Sequence, residues 1–308
     1  PTRVKLGVVL VTVFWCGACG GGSNPSGPSQ DPGAAAGTVL TMASGETGEP
    51  VSSATVTVNG RAYTSDARGE IALAVAVPYG SPVDIAEASF LVRQTYLRQG
   101  EPRFTLWPRT SLTGLDEAFT KGMVYVFFTQ QLIRFSPETT RVSIIPSPDI
   151  QADPRAMEAH VAGAAAMTAA TGGMITFVAD PVASTGVRVR MEVDPQDPII
   201  LQGAAAITYR SMAGYVVSGG RIVYKSVSYA RGPLLVQHEL GHLFGMVHST
   251  DPNDLMYKNI FVTGFSAREQ LLMRLVWQRR PGNQFPDNDR MLSLAGAQHQ
   301  TMIACPGT

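Results

Sequence analysis

With 308 residues, 44% of them hydrophobic, the chain is long enough to bury a full core, and its length suits about two domains. Charged residues make up 16%, and 24 basic residues balance 24 acidic ones to a formal net charge of zero. No basic run or basic, aromatic-rich strand accompanies that balance, which excludes nucleic acid and acidic membrane surfaces as partners recruited by bulk charge.

Residues 1–19 begin with Arg3 and Lys5, continue through an apolar run from Gly7 to Trp15, and end in Cys16-Gly17-Ala18-Cys19. About a dozen apolar residues are too few to span a bilayer, and a positive start with a small-residue end reads as a secretory signal. Gly17-Ala18 before Cys19 resembles a bacterial lipobox, although Cys16 stands where leucine is usual. The resemblance implies lipidation of Cys19 and an extracytoplasmic lipoprotein anchored to the outer membrane or cell surface. An ordinary cleaved signal, and so a secreted protein, is the alternative. A redox C-x-x-C pair is a third reading, without the strand–helix pattern that such a pair needs. If Cys16 is removed and Cys19 lipidated, Cys305 in the tail has no disulfide partner. Residues 20–37, GGGSNPSGPSQDPGAAAG, read as a flexible linker.

From 38 to 109 the pattern is that of a small all-β sandwich. Ala54, Val56 and Val58 fall on one face, Thr55 and Thr57 on the other, and Asn59-Gly60 supplies a hairpin turn. A second turn spans Asp66 to Gly69, after which Ile71, Leu73, Val75 and Val77 continue the period of two. The stretch GEPVSSATVTVNGRAYTSDARGEIAL resembles the carboxypeptidase regulatory-like β-sandwiches, which implies a spacer or binding module without catalysis. A generic Ig-like spacer is the other reading.

Residues 110–282 form an α+β unit by pattern, and 283–308 a C-terminal tail. GMVYVFF, MITFVAD, GVRVRMEV, AAAITYR and RIVYKSVSY read as strands. DPRAMEAHVAGAAAMTAATGG reads as a helix, with Asp153 as N-cap, Pro154 in its first turn and Gly172-Gly173 as its stop. A helix from about Pro233 to Phe244 follows. A last one starts at Ser266, where Ser266 and Glu269 form a capping box ahead of QLLMRLVWQRR.

Three of the five histidines lie within eleven positions, in HELGHLFGMVHSTDPNDLMY. A helix turns about 100° per residue, so His238 and His242 stand about 40° apart, with Glu239 beside them. Val236, Leu240, Leu243 and Phe244 gather on the opposite side. One face therefore packs while the other presents two imidazoles and a carboxylate. Gly245 can take the left-handed conformation that stops the helix, which lets His248 swing back towards the pair. Three neutral imidazoles with an open fourth position match a catalytic zinc site, where a coordinated water reaches a pKa of about 7. Glu239 would accept that water's proton and deliver it to the leaving amine.

H-E-x-x-H-x-x-G-x-x-H is complete as His238, Glu239, His242, Gly245 and His248, and Met256 follows eight residues after His248. Together these resemble the metzincin metallopeptidases. Ser249 and Leu255-Met256-Tyr257 bring the stretch nearest to the matrixin branch, and FSAREQ sits where matrixins place their last helix. The resemblance implies a twisted mixed sheet with an active-site helix and a C-terminal helix, and a methionine turn at Met256 beneath the metal. It further implies an edge strand that binds extended substrate, for which GAAAITY is the candidate; an ordinary edge strand is the alternative.

Three departures narrow the resemblance. Lys258 stands where astacin-like members have a tyrosine ligand. No cysteine-bearing inhibitory segment precedes the catalytic unit, which argues against cysteine-switch latency. GAAAITYRS lacks the histidines of a second, structural zinc, so one zinc ion is expected. His160 is expected on a helix surface and His299 in a polar tail. Asp194, Asp197, Asp251 and Asp254 read as loop caps rather than calcium ligands.

The expectation is a one-zinc endopeptidase acting on a protein or peptide substrate, with Glu239 catalytic, His238, His242 and His248 on the metal, and Cys19 lipidated. The alternatives are a catalytically inactive zinc-binding surface or adhesion lipoprotein, and an interaction protein centred on the β-sandwich.

Overall fold

The structure, a computed structural model, describes residues 33–125, 130–289 and 298–306. The signal and lipobox residues, Cys19 among them, and most of the Gly/Ser/Pro stretch lie outside the described residues.

The first unit is built from alternating strands: β1 (Val39–Ser44), β2 (Thr55–Val58), β3 (Arg61–Thr64), β4 (Glu70–Ala72), β5 (Pro82–Ala86), β6 (Arg93–Tyr96) and β7 (Arg103–Leu106). They form a three-stranded sheet, β4-β1-β7, and a four-stranded one, β3-β2-β5-β6. Asn59 and Gly60 join β2 to β3 with φ of 48° and 79°, the left-handed pair that a tight two-residue hairpin turn requires. Ala54, Val56 and Val58 are buried with Leu40, Met42, Ile71, Ile85 and Phe104 in one core to which both sheets contribute. The period of two breaks at Val75, which is 47% exposed, because β4 ends at Ala72 and the chain leaves the sheet. The unit starts inside the stretch read as linker, where Ala34 is buried and bridged to Val77.

The second unit is mixed α+β. Its elements are α1 (Glu117–Val124), β8 (Arg134–Phe135), β9 (Arg141–Pro146), α2 (Pro148–Gln151), α3 (Pro154–Ala170), β10 (Thr176–Ala179) and β11 (Val187–Val193). These are followed by β12 (Ala204–Ala213), β13 (Val216–Tyr224), α4 (Val227–Ala230), α5 (Pro233–Phe244), α6 (Ala267–Trp277) and β14 (Gln298–Pro306). The sheet order is β10-β9-β11-β13-β12-β14, with β8 pairing to β13 off that path. β10, β9, β11 and β13 are parallel, whereas β12 runs antiparallel to both β13 and β14.

Three expectations change in this unit. RIVYKSVSY is strand only as far as Tyr224, since Val227–Ala230 form α4. GMVYVFF does not begin as a strand: Gly122–Val124 close α1, because the Asp116 carboxylate caps the helix by accepting from the Phe119 N–H. Residues 126–128 of that stretch lie outside the described residues. His160 is not on a surface. It is fully buried, its Nδ1 donates to the Ala156 carbonyl, and its ring meets Tyr224 edge-on. The alanine-rich face of α3 carries it inward, because Ala156, Ala159 and Gly163 allow α5 to approach closely. A Cβ at Gly163 would lie 2.5 Å from Val236 Cγ1.

α6 is fixed at both ends. Ser266 and Glu269 make the reciprocal capping box, and at the other end Arg134 Nη1 donates to the carbonyls of Val276, Trp277 and Arg279. The segment after α6 is then clasped to the first unit. Arg279 pairs with both oxygens of Asp287 at 2.7 Å and donates to the Thr105 carbonyl, while Arg93 on β6 reaches Asp287 and Asp289. Backbone bonds from Gln94 to Asp287 and from Asp289 to Gln94 extend β6. Leu91 and Trp107, from the first unit, belong to the second unit's core.

Asp287 has 0% exposure and neutralises two buried guanidinium groups. Asp287→Ala leaves Arg279 without a carboxylate and Arg93 with Asp289 alone, and should cost about 3–5 kcal/mol. The measurement is urea unfolding of the two chains side by side. An unchanged midpoint would show that the clasp does not hold the units.

Candidate metal centre

α5 is the platform. Val236, Leu240, Leu243 and Phe244 are buried on its packing side, and Gln237 to His242 are buried as well. The helix ends at Gly245, whose φ is 120°, and a Cβ there would fall 2.2 Å from the Ile133 carbonyl oxygen. Glycine alone satisfies both the conformation and the space, and the turn it permits brings His248 back over α5.

The structure brings His238, His242 and His248 together. Their ring centroids are 4.6 Å, 4.7 Å and 5.3 Å apart pairwise. His238 Nδ1 lies 2.7 Å from the Leu255 carbonyl oxygen and His242 Nδ1 lies 3.0 Å from that of Met246. A carbonyl only accepts, so each Nδ1 carries the proton and each Nε2 presents a lone pair. Burial pushes the His238 imidazolium down to about 4 and that of His242 well below the ordinary histidine range; His248 is lowered by the same cause. All three are neutral at pH 7, the form that binds a metal.

A fourth donor stands with them. Cys305, on β14, places Sγ 3.3 Å from His242 Nε2 and 3.6 Å from His248 Nε2, and those two nitrogens are 3.2 Å apart. Zinc bonds of about 2.0–2.1 Å to nitrogen and about 2.3 Å to sulfur give tetrahedral edges of about 3.3 Å (N···N) and about 3.6 Å (N···S). All four donor atoms fall within 4.8 Å of one another. His238 Nε2 is buried and has no hydrogen-bond partner. A lone pair held there in the dry is satisfied by a cation, and this donor set fits zinc. Cys305 thus brings a thiol to the place where the sequence reading expects an open fourth position.

Glu239 has 0% exposure and sits beside the cluster. The Thr208 hydroxyl on β12 donates to its Oε2 at 2.5 Å, Cys305 lies within hydrogen-bonding reach, and Oε1 has no partner. Burial pushes its carboxyl up to about 7.

Met256 lies under the helix, and a Cβ on Gly241 would come within 2.4 Å of its sulfur. The turn that carries it is held by Glu269. Oε2 of that residue accepts from the Leu255 and Ser266 N–H groups, and Oε1 accepts from the Met256 N–H. One carboxylate therefore caps α6 and fixes the carbonyl that orients His238. Asp254 braces the same loop through Ser249, Ser266 and Arg268, and Asp251 pairs with Arg268. Asp197 accepts from the Tyr209 hydroxyl, and Asp194 caps the Gln196 N–H.

Sequence reasoning missed Cys305 and Thr208. The cysteine lies 57 residues beyond His248 in sequence, in a tail with no ligand motif. Thr208 is one polar residue within GAAAITY, and its position opposite an alternate face of β12 was the available signal. β12 is not a free edge, since β14 pairs along it from Ala204 to Ala213. His299 falls within β14, opposite Met212. A cavity of about 320 Å³ opens beside His238 and Cys305, lined by Leu234, Leu235, Ile260 and Lys258.

No family model matches the chain, and no curated protein does. Among solved structures, high choriolytic enzyme 1, a hatching-enzyme zinc-protease from Oryzias latipes (medaka fish), is similar at a TM-score of 0.35 and 10% identity. That similarity covers 51% of this chain and all of the other. A likeness so distant assigns neither fold nor activity, and the site must be read from its own residues.

Glu269→Gln replaces an oxygen that accepts a backbone N–H with an amide that cannot. Zinc affinity should fall about 10- to 100-fold while the chain stays folded. Competition with a chromophoric chelator measures the loss. Unchanged affinity in a folded variant would show that the turn does not orient His238.

Proposed function

We propose that this chain is a zinc-dependent endopeptidase of metzincin type, with the matrixin features of Ser249 and the Leu255-Met256-Tyr257 turn. The observation that carries the reading is Glu239, a fully buried carboxylate with an unpartnered oxygen, set beside three converging imidazoles. A site that only holds the fold has no use for such a group, whose burial with one oxygen unpartnered costs stability.

His238, His242 and His248 would hold the ion. When bound, zinc supplies Lewis acidity, bringing a coordinated water to a pKa of about 7 and polarising a peptide carbonyl. Glu239 would take a proton from the attacking water and pass it to the leaving amine nitrogen, the general acid–base role open to a carboxyl in a dry site. Thr208 fixes the other carboxylate oxygen, so the free Oε1 is the one left to move protons. The main-chain groups of β12 that pair with β14 would take an extended peptide by strand addition in its place. The cavity lined by Leu234, Leu235, Ile260 and Lys258 would take a side chain next to the cleaved bond. A lipid on Cys19 would tether the enzyme outside the cell.

The second reading is a structural zinc site, and Cys305 is the observation in its favour, because four protein ligands close a site. One set of assays separates the two. The intact chain and its Cys305→Ala variant should each bind about one zinc. At least one of them should cleave peptides in a reaction that a chelator stops. Glu239→Gln should keep the zinc and lower cleavage by about 10²- to 10⁴-fold. Zinc binding without cleavage of any peptide in a broad library, by either chain, would sink the peptidase reading.

A further inference from the structure

β14 lies where the proposed reaction needs its substrate. Among the described residues it pairs with β12 alone, antiparallel from Ala213 opposite Gln298 to Ala204 opposite Pro306. The register sets Thr301 opposite Arg210, Ile303 opposite Thr208, and Cys305 opposite Ala206. Ala206, Thr208 and Arg210 are alternate residues of β12 and share one face, on which Thr208 bonds Glu239. Arg210 is fully buried, with its Nε donating to Thr301 Oγ1. Met302, by contrast, is 57% exposed on the outer face. The strand therefore presents an inner row to the metal cluster and an outer row to solvent, as a bound peptide would.

The inner row ends in the thiol. Cys305 Sγ is within 3.3 Å and 3.6 Å of two ligand nitrogens. Two buried polar atoms, His238 Nε2 and Glu239 Oε1, lack partners at the same place. With the sulfur there, a substrate carbonyl or water has no corner of the metal to approach.

We propose that residues 298–306 are a built-in inhibitor of the zinc site. β14 occupies the strand position of the substrate on β12, and Cys305, bound as its thiolate with its proton released to solvent, takes the fourth ligand position. The proposal rests on the zinc-peptidase reading. A strand held along one edge by one neighbour can leave without breaking the sheet, and the backbone groups it vacates are those a peptide would use. Residues 279–289, clasped to the first unit, fix the point from which this tail departs. The intact chain is therefore latent, and displacement of β14 activates it.

The test uses the full chain loaded with zinc. X-ray absorption of the wild type should show one sulfur neighbour at about 2.3 Å per zinc, absent from Cys305→Ala, which keeps its zinc. Alkylation of Cys305, mapped by mass spectrometry, should be slow in the zinc form and fast after chelation. Peptide cleavage by Cys305→Ala should exceed wild type at least about tenfold, because a tethered ligand acts at millimolar effective concentration. Ile303→Pro and Ala304→Pro provide a second route. N–H groups alternate along a strand, so one of the two substitutions removes a bond to β12 and should activate with the thiol retained. Absence of sulfur at the zinc overturns the proposal. Equal cleavage by wild type and Cys305→Ala overturns latency and leaves the peptidase reading intact. Loss of zinc from Cys305→Ala, or retained sulfur with no cleavage by any variant, overturns both.

Discussion

One α-helix can aim two imidazoles at a point, but the third must arrive from outside its axis. That constraint organises the second unit of this protein. His238 and His242 stack one turn apart on α5, and the chain must reverse within a few residues for His248 to meet them. Gly245 makes the reversal, with a positive φ and no room for a side chain against Ile133. α5 must also stay fixed while this happens. The small residues of α3 let it seat deeply, so that its apolar side is dry and its polar side is presented without slack.

The imidazoles are held by a shell with few free choices. Leu255 and Met246 supply the carbonyls that set the tautomers of His238 and His242. Glu269 holds the Leu255 and Met256 backbone from α6, and Arg134 closes that helix at its far end. Each of these groups is a buried charge, a backbone donor or a backbone acceptor engaged by its partner, so removing one exposes the cost of the next. The path from helix cap to methionine turn to imidazole is continuous, and it makes the geometry of the site a property of the whole unit.

Much of this was legible in the sequence because the signals are local. The helical arithmetic of His238, Glu239 and His242, the glycine stop, the Ser266–Glu269 capping box and the Asn59-Gly60 hairpin each depend on residues a few positions apart. Where the outcome hinged on distant contacts, the sequence was mute or misleading. Asp116 capping turned Gly122–Val124 into helix despite their β-forming neighbours. β9 had no counterpart among the expected elements, since its Arg141–Pro146 run shows neither clean alternation nor a turn signal of its own. His160 looked like a surface residue until the alanine face around it proved to be the packing face. Cys305 carries no pattern at all, and only the pairing of β14 with β12 reveals where its sulfur goes.

The two units and the tail thus form one circuit. The first unit clasps the chain after α6 through Arg93, Arg279 and Asp287, and the chain then returns as β14 to cover the cluster on α5. The account stands or falls on a single point in space where four donor atoms meet. Anomalous diffraction at the zinc edge, from crystals of the intact chain, locates that point directly. The account predicts one peak, bonded to Nε2 of His238, His242 and His248 and to Sγ of Cys305. No peak there, or a zinc held by other residues, would contradict it.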